Sequence, residues 1–346
     1  MTSSGGSTCE EKITGMARTK KHHYVPVFYL NGFIDPDTHP YIWVYQKGSF
    51  EVLKLRPENC GFEKDYYSFV NPSGKRDSDT IEYAFSSLES GVAPIFEKIN
   101  NEGFPDEKER VALSFFLACA MTRVPSFRNA IEASVAAVVG KFAMAMASNS
   151  EAWRAMLIRY EEETGEKINI PAEELQNFVL SGEYDLTTNP EVSLQMMVLA
   201  HDFAPVFYHM RWRFLKASED FRFLTCDSPL YLCDPTHDHR SQFGVGLACK
   251  NAEISFPISR EIALFASWNG REGFEEVRDQ RVRDINQRTV ISATRFVYSS
   301  QERRGIGRFV RRYEDFSPTL ETFNIRTDKG RTILGMRYLP RARRKE

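Results

Sequence analysis

Two short apolar-rich runs near the N-terminus, Tyr41 to Tyr45 and Phe50 to Leu55, lie on either side of the polar Gln46-Lys-Gly-Ser49. Short runs rich in aromatic and branched apolar residues mark strands and a glycine suits a tight turn, so these runs predict a β-hairpin. Together with the aromatic stretch His22 to Phe33 they make an expected β module over residues 21–75. From Ser78 the pattern becomes helical: Ile81, Phe85, Leu88, Val92 and Phe96 fall at helical spacing, with Pro94 expected to break or kink the end. Asp106-Glu-Lys-Glu109 has the form of a capping box, in which the two carboxylates satisfy orphan amides, and it predicts a second helix stopped at Val124-Pro125. Ser126 to Ser148 is small, apolar and almost uncharged, which predicts a buried helix. Glu151 to Glu163, Pro171 to Leu180 and Glu191 to Phe203 complete a helical region over 78–215, with Pro205 separating Phe207 to Leu215 from the last of them.

After Ser218 short strands return at Phe221 to Thr225, Ala252 to Phe256, Ile262 to Phe265 and Phe296 to Tyr298, interrupted by one helix over Val277 to Ala293. Strands grouped at the two ends of a helical middle, with no regular β-α-β alternation, predict α+β. The expected architecture is one domain over 21–300, in which short antiparallel strands from both ends pack as a single sheet and 218–300 is the β-rich part. Residues 1–20, rich in Ser, Gly, Thr and charge and lacking an apolar signal core, read as a disordered leader.

Composition narrows the class without naming it. The chain has 346 residues, 42% hydrophobic and 27% charged, with a net charge of −2, which excludes a globally basic nucleic-acid coat and an acidic disordered tail protein. Residues 301–346 form the one basic region, with 13 Lys or Arg against 6 Asp or Glu, a surplus of +7 against −9 for the rest. Six scattered cysteines fit reduced thiols in a cytoplasm. Counting Lys141 as an interruption, no apolar run reaches the roughly 18 residues of a membrane span, so a soluble protein without a membrane partner is expected.

His22-His-Tyr-Val-Pro26 with Tyr29-Leu30 and Phe33 opens a series that continues through Glu82 and Glu89, Arg123-Val-Pro125 with Arg128, and Phe223-Leu-Thr-Cys-Asp-Ser-Pro229. Phe256-Pro-Ile-Ser259, Asn286 and Arg295-Phe-Val-Tyr-Ser299 follow. In these residues, over about 22 to 299, the chain resembles an uncharacterised, mostly bacterial family, domain of unknown function 4238. Cys226 stands where the family pattern has Ser or Thr. The resemblance implies positions to watch and carries no activity.

Those positions have chemistry of their own. His22 and His23 could ligate a metal or act as acid and base near neutral pH, although neighbours on a strand point to opposite faces. The plain alternative is that one locks the β module through a backbone hydrogen bond. Asp227 ends an apolar strand, where sheets present reactive side chains, yet a carboxylate there also caps turns. Glu82 and Glu89 share one helix face two turns apart, about 10 Å, too far for both to bind one small ion without bending. Arg123 and Arg128 flank a helix stop and suit either phosphate or an internal pairing with Glu82 or Glu89. Asn286 could complete a polar cluster with Asp227. His237-Asp-His239 near Cys233 lacks the spacing of a structural zinc site. No phosphate loop, dinucleotide fingerprint, HExxH or CxxC pair occurs.

The leading expectation is a metal-dependent phosphodiesterase or nuclease acting on RNA or DNA. His22, His23, Asp227 and Asn286 would be catalytic, and His23 with Asp227 would hold Mg or Mn. Arg123, Arg128, Glu82 and Glu89 would contact substrate, and the basic C-terminal tail would bind nucleic acid. The alternative is a non-enzymatic interaction protein whose polar residues form a structural network.

Overall fold

A computed structural model of the chain describes residues 21–238, 244–326 and 332–343. The expected leader (1–20) and His239 lie outside the described residues.

The fold is α+β. The predicted hairpin forms between Ile42–Gln46 and Val52–Leu55, and Ile42–Gln46 then pairs antiparallel with Phe296–Ser299, which pairs with Thr225–Cys226. Strands from both ends of the chain thus share one four-stranded sheet. The remaining strands do not join it: Arg211–Lys216, Tyr231–Cys233, Glu253–Pro257, Ile262–Ser267 and Gly273–Glu276 build a separate five-stranded sheet, and the pairing of Gly273–Glu276 with Arg211–Lys216 is parallel. Arg211–Lys216 is where helix was expected. It alternates buried Trp212 and Phe214 with more exposed Arg211 and Arg213, so its local period is two despite the helical run that precedes it.

The aromatic N-terminal segment supplies the hub of the core. Tyr29 on the short helix Val27–Asn31 packs against Phe33, Phe96 and Phe256, and its hydroxyl lies 2.6 Å from Thr225 Oγ1 while donating to the Pro257 carbonyl at 2.9 Å. One side chain therefore ties the first helix to strands of both sheets. The helix Thr80–Asn100 runs through Pro94, against expectation, because its C-terminal half buries Val92, Ile95, Phe96 and Ile99 and packing offsets the lost hydrogen bond. Glu107–Thr122 starts with the predicted capping box in full. Likewise Leu199–His209 continues through Pro205.

The helix Pro125–Ala147 departs most from its expectation. Only Ser134 and Ala147 are buried, and Val138, Val139, Phe142 and Met144 are exposed. By length and composition it reaches the threshold for a membrane span, which the sequence count had denied on account of Lys141. Here it packs on Ser150–Thr164, Ala172–Ser181, Pro190–Gln195 and the strand Phe316–Arg326.

The basic C-terminal segment is folded. Arg304–Arg312 is a helix packed on Ile42–Gln46, and Phe316–Arg326 pairs with Thr332–Arg343 in a long antiparallel hairpin. Lys47 links it to the body: the buried ammonium donates to the carbonyls of Ala293 at 2.7 Å, Phe316 at 2.9 Å and Ile291 at 3.4 Å. Two of these carbonyls end the helix Asp279–Ser292, where a cation is favoured by the helix dipole.

Candidate functional site

The family-signature residues separate into a set that fastens backbone and a set that faces a half-open polar cluster. Lys21–His23 forms a short strand antiparallel to Phe62–Lys64, with His22 opposite Glu63 and His23 opposite Phe62. As the alternation requires, His22 is buried and His23 half-buried. Nδ1 of His22 accepts the Tyr67 amide at 2.8 Å, which places the neutral ring's proton on Nε2, and the His22 ring stacks on Tyr67 with centroids 5.5 Å apart. Tyr67 in turn donates its hydroxyl to the His23 carbonyl at 3.2 Å. The chain then turns because the amides of Tyr24 and Val25 both donate to the Gly61 carbonyl, and Gly61 has φ +60°.

Asp227 also serves the backbone. Its carboxylate accepts the amides of Thr294 at 2.7 Å, Arg295 at 2.6 Å and Phe296 at 2.8 Å, while its own amide donates to the Phe296 carbonyl. It is fully buried and pins the turn that leads into Phe296–Ser299. Asn286 accepts the Leu224 amide at 2.8 Å and donates to the Arg222 carbonyl at 3.0 Å, standing in for a strand neighbour along the segment before Thr225. This explains why the expected strand Phe221 to Thr225 is reduced to Thr225–Cys226: a side-chain amide replaces part of its ladder. The pairings expected of Asp227 with Asn286 at a site, and of Asp227 with His23 on a metal, are thus replaced by these backbone bonds. Among the described residues no three His, Cys, Asp or Glu side chains converge as a metal site.

A different cluster forms where the first long helix meets the end of the second. Arg123, just past Glu107–Thr122, donates Nη1 to Glu89 Oε1 at 2.7 Å, the internal pairing weighed from the sequence. Its guanidinium is wholly buried, 5.0 Å from the Phe85 ring centroid and 5.6 Å from that of Phe116, with Nε and Nη2 lacking hydrogen-bond partners among the described residues. Glu82 lies one face-repeat earlier on the same helix, beside the His23 amide, with Oε2 buried and unpartnered among the described residues. Burial, reinforced by the Glu89 charge and opposed by Arg123, pushes the Glu82 carboxyl up to about 7. Burial also lowers the His23 imidazole, against the pull of the Glu58 carbonyl 3.3 Å from Nε2. A carboxyl able to hold its proton at neutral pH thus sits beside the His23 backbone amide, and the His23 imidazole, biased to stay neutral, feels the charge of Glu89 on the same helix face.

Arg128 borders this region without entering it. It donates to the Tyr66 carbonyl and to Glu132, both at 3.0 Å, and stacks on the Tyr66 ring. Burial holds the Glu63 carboxyl above its ordinary value, with Arg128 and Arg295 opposing the shift. The structure therefore brings His23, Glu82, Glu89 and Arg123 together and leaves His22, Asp227 and Asn286 as fasteners. Tyr67, the partner of both histidines, was not singled out in the sequence, where it reads as one aromatic among many.

Of the comparisons with known proteins, a family model described as Protein of unknown function (DUF4238) matches residues 21–303. No curated protein and no solved structure matches the chain.

Proposed function

We propose, for a chain that belongs to the protein family of unknown function DUF4238 and so inherits no assigned chemistry, an acid–base reaction centred on Glu82. The observation that carries this reading is the unpartnered, buried oxygen of Glu82 beside Glu89 and His23. The buried acceptor of Glu82 and the buried donors Nε and Nη2 of Arg123, all without hydrogen-bond partners among the described residues, leave polar groups of both kinds for a ligand. Glu82 acts as the general acid, giving its proton to the leaving oxygen as the scissile bond breaks, and neutral His23 accepts a proton from the attacking water.

The substrate class proposed is a phosphodiester of RNA or DNA. Lys21 next to His23 and the exposed Arg295 beside Glu63 supply positive charge at this end of the molecule. Exposed Arg303, Arg304, Arg308 and Arg312 around the C-terminal helix offer a second backbone-binding surface. A divalent ion belongs to the proposal as one that arrives with the substrate, since Mg²⁺ commonly takes one or two protein carboxylates plus phosphate oxygens.

The test incubates the full chain with single-stranded RNA, single-stranded DNA and duplex DNA in Mg²⁺, Mn²⁺ or EDTA. Cleavage by the wild type, reduced about 100-fold or more in Glu82→Gln without a lower melting temperature, supports the reading. Absence of cleavage under every condition removes the phosphodiester class. The second reading, a non-enzymatic interaction protein, is favoured by the way Asp227, Asn286 and His22 spend their polar atoms on backbone. In that case Glu82→Gln changes stability and nothing else.

A further inference from the structure

An apolar cavity of about 490 Å³ lies apart from the Glu82 cluster, and none of His23, Glu82, Glu89 or Arg123 lines it. Its walls come from four parts of the fold: Phe127 and Ile131 on Pro125–Ala147, Phe203 and Val206 on Leu199–His209, Leu230 leading into Tyr231–Cys233, and Leu247 on the loop before Glu253–Pro257. The C-terminal hairpin closes one side through Leu320 and Tyr338. The size falls within the range of small-molecule sites, and such sites pair apolar walls with a few placed polar groups.

Here the polar point is the hydroxyl pair Ser126 and Ser228, whose Oγ atoms are 2.8 Å apart. Two hydroxyls sharing one hydrogen bond use one of their two protons, so a donor and several lone pairs remain for a third group. Ser228 is held in place by its backbone, whose carbonyl accepts the Ser292 hydroxyl at 2.6 Å. Among the described residues no Lys, Arg or His lines the cavity, and Asp202 is the one charged residue of its lining. An anionic head group would meet that carboxylate without a compensating cation, whereas a carbonyl or hydroxyl needs only the serine pair.

We propose that this cavity binds a neutral aliphatic molecule with one carbonyl or hydroxyl, the chain lying along Phe127, Ile131, Phe203 and Leu230 and the oxygen at Ser126 and Ser228. The site is independent of the Glu82 reading, so either stands if the other fails.

The experiment uses the full chain and the neutral fluorescent probe N-phenyl-1-naphthylamine, displaced by decan-2-one, 1-decanol or decanoate. The expected result is saturable binding of one probe per chain, with decan-2-one and 1-decanol displacing it at least tenfold more effectively than decanoate. Ile131→Trp, which fills the cavity, should weaken probe binding at least tenfold. Val206→Phe gives the same readout from another wall and serves if the tryptophan variant does not fold. Ser228→Ala should weaken decan-2-one several-fold while leaving the probe itself unchanged. Absence of saturable binding, unchanged probe binding in the folded cavity-filling variant, or decanoate displacing as well as decan-2-one would overturn the proposal.

Discussion

Replacing Glu82 by Gln tests the acid–base cluster through thermodynamics before any substrate is known. The carboxyl is raised from 4.5 to about 7 in the folded chain, first by burial and then by Glu89. A raised carboxyl pKa means that the native state holds its proton more tightly than the unfolded state does. Its contribution is therefore fully present below about pH 4.5, declines as pH rises, and is gone above about pH 7. A shift of this size corresponds to about 3 kcal/mol at 1.36 kcal/mol per unit. The group is partly exposed, so solvent screening reduces the expected figure to roughly 1–2 kcal/mol. Gln keeps the shape and cannot ionise. Urea unfolding at pH 5, 6, 7 and 8 should show the wild type losing stability relative to Glu82→Gln across this window, with the variant more stable by about 1–2 kcal/mol at pH 8. If the difference between the two proteins is flat from pH 5 to 8, or the variant is less stable at pH 8, Glu82 does not titrate near neutrality and the assignment of an acid to it fails.

Other substitutions separate fastening from chemistry. Asp227→Ala should cost about 3 kcal/mol or more, because three buried amides lose their acceptor, and a melting temperature within 2 °C of wild type would refute the pinning role. Tyr29→Phe should cost about 1–2 kcal/mol in denaturant unfolding, since the Thr225 and Pro257 oxygens lose a shared partner; an unchanged midpoint would remove Tyr29 as a link between the sheets. Gly61→Ala should cost about 2 kcal/mol or more, combining a left-handed backbone with a Cβ only 2.7 Å from the Val25 Cβ, and neutrality would contradict the close approach.

Much of the fold is legible in local pattern. The hairpin at Gln46 to Ser49, the capping box at Asp106 and the helix around Asn286 rest on short-range rules, and each forms where its residues place it. Pro94 and Pro205 mislead because a proline's cost is local while the packing that offsets it is not. Pro125–Ala147 misleads because an apolar composition promises burial, whereas this helix packs along only part of its surface. At the site, the Arg123–Glu89 pair was among the readings weighed from the sequence. The distinction between Glu82 and Asp227 was not, because it depends on Asp227 meeting amides 67 to 69 residues further along the chain while Glu82 meets another carboxylate. Lys47 had no signal at all, since a lysine in a hairpin loop ordinarily faces water.

Pro94 divides the helix Thr80–Asn100 into halves with different duties. The second half carries the buried residues Val92, Ile95, Phe96 and Ile99, while Glu82 and Glu89 ride on the first, whose side chains are half-buried or exposed. Proline supplies no amide to the carbonyl four residues before it, so the ladder is interrupted just past Glu89. Opening of the first half therefore need not disturb the anchored half. In hydrogen exchange the amides of residues 82–90 should exchange through a low-energy local opening while those of 95–99 wait for global unfolding. The carboxyl pair would then be mounted on a segment with its own melting behaviour, and whatever orders that segment would also set the spacing between Glu82 and His23.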